Sequence, residues 1–297
     1  MKREIKFSKY HGCGNDFVIL TNFNGDNFFN DNELVKLSKN ILNRHFGIGA
    51  DQLLLIDNSK VAHFKVSIFN PDGSSAGMCG NGMRAIAHHL RFQNLPPIID
   101  PLITLEVEKR IVKCTIDSTS NLITINMGQP ILNAEEIPCR GKGEIKHFPL
   151  TTSLGDFNIH AISMGNPHCV IFCDDADSID LAKIGPVIEN HDFFPSRTNV
   201  EFASISAPDV IKLRVWERGA GATLACGSGA CATLVAAARA GLTNKEAQIQ
   251  LPGGDLSIRW DNGPESGREN GLENGSGDVF LTGPAVHVAS GLYTPPL

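Results

Sequence analysis

Met78-Cys79-Gly80-Asn81-Gly82 and Ala225-Cys226-Gly227-Ser228-Gly229 are two versions of one phrase. Their cysteines lie 226 − 79 = 147 residues apart, close to half of the 297-residue chain. A helix is predicted directly after each. In the first, Met83, Ile86, Ala87 and Leu90 keep the spacing of one helix face, and Asn94-Leu95-Pro96-Pro97 ends the run. In the second, 230–240 is Ala-rich, favours helix, and stops at Gly241. Its apolar residues go all the way round, as expected of a helix enclosed by other structure.

Two more pairs sit at nearly the same offset. Gly14-Asn15-Asp16 is echoed 151 residues on by Gly165-Asn166-Pro167-His168, each running into an apolar stretch. Phe69-Asn70-Pro71-Asp72-Gly73 is echoed in shape, 146 residues on, by Val215-Trp216-Glu217-Arg218-Gly219. Three echoes in one order predict a duplicated domain. β-rich runs fill both halves: 17–20, 52–56, 64–69, 103–107, 112–116 and 122–127, then 160–164, 169–173, 211–217, 248–251, 256–260 and 279–282. The expected fold class is α/β of the α+β kind, with two pseudo-symmetric domains, each a β-sheet wrapped around a central helix. A boundary near Gly128-Gln129-Pro130 gives domains 1–128 and 129–283. The Gly-, Asn- and Glu-rich stretch 261–278 reads as a long hairpin loop.

Composition narrows the function classes. With 42% hydrophobic and 20% charged residues the chain is ordinary globular material, long enough for two cores. A net charge of −6 without a basic stripe argues against a nucleic-acid partner. No apolar run reaches the ~18 residues that span a bilayer, so no membrane partner is expected. Eight cysteines are too few for a disulfide scaffold, and the segment after Met1-Lys2-Arg3 lacks a signal-peptide core. Reduced thiols and a cytoplasmic location follow as expectations.

A cysteine at a helix start is chemically loaded. Unpaired N–H groups and the positive end of the helix dipole favour a thiolate, and they also favour a bound carboxylate. The N–H groups of Gly80-Asn81 and Gly227-Ser228 are therefore candidate carboxylate binders. Two such thiols, one from each half, suit inversion of a carbon centre across an inter-domain cleft: one removes a proton and the other returns one to the opposite face. No metal or organic cofactor is called for. Glu217 suits a substrate ammonium and Arg218 a carboxylate. Asn15, Gln52, Asn70, Asn166 and Asn199 flank strands, where an amide serves a ligand or simply makes a turn; Asp72 reads as an Asx-turn. The other six cysteines read as packing residues, Cys169 and Cys173 lack a second pair for zinc, and His88-His89 reads as a partly exposed helix end. The glycine loops match neither the dinucleotide nor the Walker pattern.

With these residues in view, the chain resembles the diaminopimelate epimerase family. The resemblance runs over nearly the whole length, through His11-Gly12-Cys13-Gly14-Asn15-Asp16-Phe17, Phe46–Gln52, Asn70–Ser74, Met78–Arg84, Gly165–His168, Thr198–Phe202, Glu217–Gly221, Leu224–Ala230, Leu251–Gly254 and Leu281–Ala285. It implies cofactor-independent interconversion of LL- and meso-2,6-diaminoheptanedioate in lysine biosynthesis. Cys79 and Cys226 match the acid/base pair, and His168 and Glu217 match residues that tune the thiols. Asn15, Gln52, Asn70, Asn166, Asn199, Glu217 and Arg218 match substrate-binding side chains, with Gly80, Asn81, Gly227 and Ser228 as the helix-start carboxylate site. The resemblance further implies a homodimer and a final strand, within 284–297, that returns to the first domain. The chain departs from the pattern at Ala222 and Ser75, where the family commonly has glutamate, and in its long 261–278 loop. A proline or hydroxyproline racemase is the alternative activity; Glu217-Arg218, suited to a second charged end on the substrate, disfavours it.

Overall fold

Residues 4–23, 29–93, 101–261 and 277–296 are described by a computed structural model. Two compact units account for them, Met1–Ile125 with Gly283–Leu297, and Asn126–Thr282. The expected loop 261–278 lies almost wholly outside the described residues.

In the first unit β1 (Ile5–Gly12) turns into β2 (Asn15–Thr21) through Cys13-Gly14, both at positive φ (53° and 83°). That is the two-residue hairpin turn whose twist suits antiparallel strands, and the glycine takes it without strain. Helix α1 (Asp31–Ile41) starts on a capping box in which Asn30 accepts from the Glu33 N–H and the Glu33 carboxylate accepts from the Asn30 N–H. Then follow β3 (Gln52–Asn58), parallel to β2, and β4 (Phe64–Phe69), antiparallel to β3, with the short β5 (Ser75–Ala76) beside β4. Helix α2 (Gly80–Phe92) leads to β6 (Leu102–Val107), parallel to β4, and to β7 (Arg110–Ile116) and β8 (Ile123–Gly128). The free side of β1 is taken by β18 (Val286–Tyr293). The order is thus β18-β1-β2-β3-β4-β6-β7-β8. It curls round α2, which packs on β1, β2, β7 and β18 and is buried from Gly80 to Ala87.

The second unit repeats this plan strand for strand. Its elements are β9 (Phe148–Thr152), β10 (Gly155–Ser163), β11 (Pro167–Phe172), α3 (Leu181–Glu189), β12 (Asn199–Ala207), β13 (Val210–Glu217), β14 (Gly221–Thr223), α4 (Gly227–Arg239), β15 (Glu246–Leu251), β16 (Gly254–Trp260) and β17 (Val279–Gly283). The order β9-β10-β11-β12-β13-β15-β16-β17 has its two parallel pairs, β11/β12 and β13/β15, where the first unit has β2/β3 and β4/β6. Helix α4 packs on β10, β11, β12, β15 and β16. Its alanines let those strands approach closely, and Ala230, Ala232, Ala236 and Ala237 are all buried. Each unit is therefore the expected mixed α/β body, a sheet wrapped around one helix.

Strand registers align the two copies residue by residue and correct one echo. Leu53 faces Phe69, which faces Ser75; Val200 faces Trp216, which faces Ala222. Phe69 is therefore equivalent to Trp216, and Asn70 to Glu217, at an offset of 147 rather than 146. The turns that follow differ by one residue between their glycines, Gly73 and Gly219 both at positive φ, and this produced the slipped match. By the same registers Gln52 corresponds to Asn199, and Phe17 to His168.

The sequence reading passed over α1, α3, β1, β9 and β12, and the short β5 and β14. Helix α3 carries Gly185 and Pro186, both poor helix formers. Packing overrides propensity there, because a Cβ on Gly185 would stand 2.5 Å from the Trp216 ring. Strand β12 has Asn199, Glu201 and Ser204 in a run buried almost throughout, so no period-2 pattern marks it.

His89 corrects another expectation: it is only 4% exposed, edge-on to the Tyr10 ring. Burial, then the charges of His287, Lys6 and His88, pull its pKa down to about 4. In the second unit His160, beside His147 and Phe172, is likewise brought to about 4, by burial first and then by His147 and Lys146. Between pH 6.5 and 4 the unfolded chain binds protons at these sites that the folded chain refuses, so stability falls as pH falls through that window. Each histidine costs about 1.4 kcal/mol per pH unit there. Thermal unfolding followed from pH 7 to 4.5 should show a steep loss, made shallower in His160→Phe. An unchanged slope in that variant would remove His160 from the account.

Candidate active site

Each unit builds a polar site at the start of its central helix. In the first, Cys79 is the N-cap of α2, with extended φ −122° and ψ 110°. Its carbonyl accepts the Met83 N–H at 2.9 Å, so the cysteine starts the helix ladder while its side chain stays outside. The thiol lies 3.7 Å from Asn15 Oδ1, and Asn81 Nδ2 donates to that same oxygen at 3.3 Å. Asn15 is oriented by Asp51, whose Oδ2 accepts from Asn15 Nδ2 at 2.8 Å. Asp51 is itself held by Arg44 at 2.7 Å and by the Asp16 N–H at 3.1 Å. The β2/β3/β4 registers bring Asn15, Gln52 and Asn70 to one end of the sheet, where Gln52 Nε2 donates to Asn70 Oδ1 at 3.2 Å. Asn70 Nδ2 donates to Ser74 Oγ at 3.0 Å, and Asp72 makes the Asx-turn, accepting from Ser74 N at 2.8 Å.

In the second unit Cys226 caps α4 with φ −121° and ψ 111°, within a degree of Cys79. Its sulfur accepts the Gly229 N–H at 3.4 Å and lies 3.6 Å from Ser228 Oγ. Asn166 Nδ2 donates to Ser228 Oγ at 3.3 Å, and Asn166 Oδ1 is 3.0 Å from His168 Nε2. The other ring nitrogen, Nδ1, is 2.6 Å from Glu201 Oε1, with both side chains fully buried. Asn199 bridges two strand ends: its Nδ2 donates to Pro167 O and its Oδ1 accepts from Arg218 N, both at 2.9 Å. Glu217 accepts from Thr223 Oγ1 at 2.6 Å. The Arg218 side chain is exposed and donates to Ser196 O at 3.1 Å. Of the site residues named from the sequence, Asn15 and Asn81 thus gather at Cys79, and Asn166, Ser228 and His168 at Cys226, while Gln52 with Asn70, and Asn199 with Arg218, form contacts of their own at strand ends.

One electrostatic expectation is overturned. Burial of Cys226, then the carboxylates of Glu217 and Glu201, push its thiol well above the ordinary range, against weaker opposing pulls from Ser228 and Gly229. The helix start does not win at this position, and the resting sulfur carries its hydrogen. Three further residues escaped the sequence reading. Asp51 orients Asn15, and Glu201 pairs with His168. Glu189 accepts from Trp216 Nε1 at 2.7 Å and from Gly219 N at 2.9 Å, fixing the turn that carries Glu217 and Arg218.

Comparison with known proteins bears on this arrangement. The family model described as diaminopimelate epimerase matches residues 7–132 and 160–273. A diaminopimelate epimerase from Halothermothrix orenii is 43% identical over 296 residues, covering 97% of each chain. Among solved structures, a hydroxyproline epimerase from Agrobacterium vitis superposes with a TM-score of 0.68 at 12% identity, covering 98% of this chain and 91% of that one. A Bacillus anthracis phenazine biosynthesis protein of the PhzF family gives a TM-score of 0.67 at 16% identity, covering 98% and 99%. At such identities these two structures speak to the fold alone.

Proposed function

The chain belongs to the diaminopimelate epimerase family, and from that premise we propose that it interconverts LL- and meso-2,6-diaminoheptanedioate with two cysteine side chains, in lysine biosynthesis. The observation that carries the reading is the repeated N-cap: two cysteines, in equivalent places of two equivalent units, with the same backbone conformation. Both sulfurs stand at helix starts, where bare N–H groups also receive a carboxylate, and inversion at carbon needs an acid and a base of like kind on opposite faces.

In this reading one sulfur, as thiolate, takes the α-hydrogen while the other, as thiol, supplies a hydrogen to the opposite face. The protonated resting state of Cys226 suits the donor role in one direction. The N–H groups of Gly80-Asn81 and Gly227-Ser228 hold the carboxylate beside the reacting carbon and take up the charge that builds there. Asn15, Gln52, Asn70, Asn166, Asn199, Glu217 and Arg218 hold the substrate's charged ends, and His168 and Glu217 tune the thiols. The working domains are 1–128 with 284–297, and 129–283; the two compact units support that division. A cytoplasmic homodimer completes the proposal. The outer face of β18 supports self-association, with Val286, Val288 and Leu292 exposed. Among the described residues no helix is long and apolar enough to cross a membrane.

The test is incubation of the purified chain with LL-diaminopimelate, meso-diaminopimelate and L-proline separately in deuterated water. Inversion with deuterium entering the α-position of the diaminopimelates, and none into proline, is expected. Turnover of proline instead would favour a racemase of the proline or hydroxyproline type, and no exchange into any of the three would end the proposal.

A further inference from the structure

The two copies of the fold differ at one buried place beside the cysteine helix. In the second unit the space next to Gly229 is occupied by the Glu201 carboxylate, so close that a Cβ on Gly229 would stand 2.8 Å from Oε1 and 3.3 Å from the Cys226 sulfur. Glu201 is paired with His168, and neither side chain is exposed. In the first unit the registers put Phe17 where His168 stands and Leu54 where Glu201 stands. There a Cβ on Gly82 would meet Leu54 and Phe17, each at 3.4 Å. One copy of the fold thus fills this position with two apolar side chains of similar bulk. A buried ion pair is commonly no better for stability than such packing. The fold does not need the pair, which leaves the site as its reason.

We propose that Glu201 is a positioning residue for the second thiol, acting through His168 on Asn166 and through Asn166 on Ser228 and Cys226. The geometry sets out the chain of contacts. His168 has an acceptor on each side, the Glu201 carboxylate at 2.6 Å and Asn166 Oδ1 at 3.0 Å. Its Nε2 therefore carries hydrogen toward Asn166, while a second hydrogen lies between Nδ1 and Oε1, and the pair is neutral overall. With its oxygen engaged by the ring, Asn166 must point Nδ2 at Ser228 Oγ, which lies 3.6 Å from the sulfur. The Cys79 site makes the corresponding amide contact, Asn81 to Asn15, but there Phe17 takes the histidine's place and the amide is held instead by Asp51, at 2.8 Å. The two thiols therefore work in unlike surroundings: the amide beside Cys79 is held by a carboxylate directly, the one beside Cys226 through a buried histidine–carboxylate pair. The inference rests on the proposed acid/base role of Cys226.

Three measurements test it. In 15N-histidine-labelled protein, Nε2 of His168 should resonate as a protonated nitrogen, and the second hydrogen, shared at Nδ1 with the carboxylate, should be lost in Glu201→Gln, whose amide leaves the ring a single hydrogen. Glu201→Gln should lower kcat by about 10²-fold, more than it changes KM, with the melting temperature nearly kept. The double variant His168→Phe with Glu201→Leu, which copies the first unit, should fold and melt no lower than the parent yet be as impaired as Glu201→Gln. An unprotonated Nε2 in the parent protein, or near-parental kcat in either variant, overturns the proposal. Should the double variant not fold, the claim that the fold can do without the pair is wrong. Should the parent turn over no diaminopimelate at all, the functional reading fails separately, and the nitrogen resonances still decide the hydrogen placement.

Discussion

Cys79→Ala and Cys226→Ala should each lose epimerisation by about 10³-fold or more while keeping the fold, because a positioned acid or base contributes on that order and each variant lacks one. Circular dichroism and the melting temperature should change little. Cys226 has more to lose, since its sulfur caps Gly229 N–H, a contact worth about 1 kcal/mol. The sharper result lies in partial reactions. With Cys79 gone, Cys226 still has a base's reach to the isomer whose α-hydrogen faces it, and the converse holds for Cys226→Ala. Each single variant is expected to exchange the α-hydrogen of only one stereoisomer with solvent, the two variants choosing opposite isomers. Exchange of both isomers by either variant would mean that one group serves both faces, and near-normal inversion in either would end the two-thiol mechanism.

The second large effect is structural. Arg84 is the bulkiest of the fully buried side chains, in the first two turns of α2. Its Nε donates to Pro284 O at 3.1 Å, at the entrance to β18, and Nη2 lies 3.8 Å from the Cys13 sulfur. Gly12 is small to suit, since a Cβ there would stand 3.0 Å from Nη2. Arg84→Ala would leave a cavity and strand a half-buried carbonyl, a loss of roughly 3–5 kcal/mol. For a unit of this size that corresponds to a fall of about 10 °C in melting temperature. Arg84→Met should recover the volume part and leave the carbonyl unpaired, landing between the two. A melting point in Arg84→Ala within a degree or two of the parent would mean that β18 is secured by its pairing with β1 alone.

Much of this was legible in the chain. The doubled Cys-Gly phrase marked both central helices because a glycine-rich N-terminus and an apolar run are local signals. Most strands were legible too, wherever one face is buried and the other is not. What escaped is what tertiary packing decides. Gly185 and Pro186 sit in a helix because Trp216 needs a bare backbone beneath it. Strand β12 hid because residues buried on both faces leave no alternation. At the site, cysteines and strand-flanking amides could be named from type and spacing. Glu201, Asp51 and Glu189 could not, since their importance lies in which side chain they hold, and only the registers bring those partners together. The raised Cys226 thiol belongs to the same class: the helix start is written in the sequence, and the burial and two carboxylates that outweigh it are not.

The seating of β18 against β1 has a consequence for biogenesis. The second unit is one continuous stretch, 126–282, and every strand of its sheet has left the ribosome once that stretch has emerged. The first unit began far earlier but waits for residues 286–293 to close its border and for Pro284 to meet Arg84. Maturation is thus expected to run against the direction of translation, with the later-made lobe complete while the earlier one still offers a bare β1 rim to chaperones or to other nascent chains. A stalled chain ending after Thr282 should resist protease over 126–282 and be cut within 1–125; equal resistance of both would show that the early lobe closes without its returning strand.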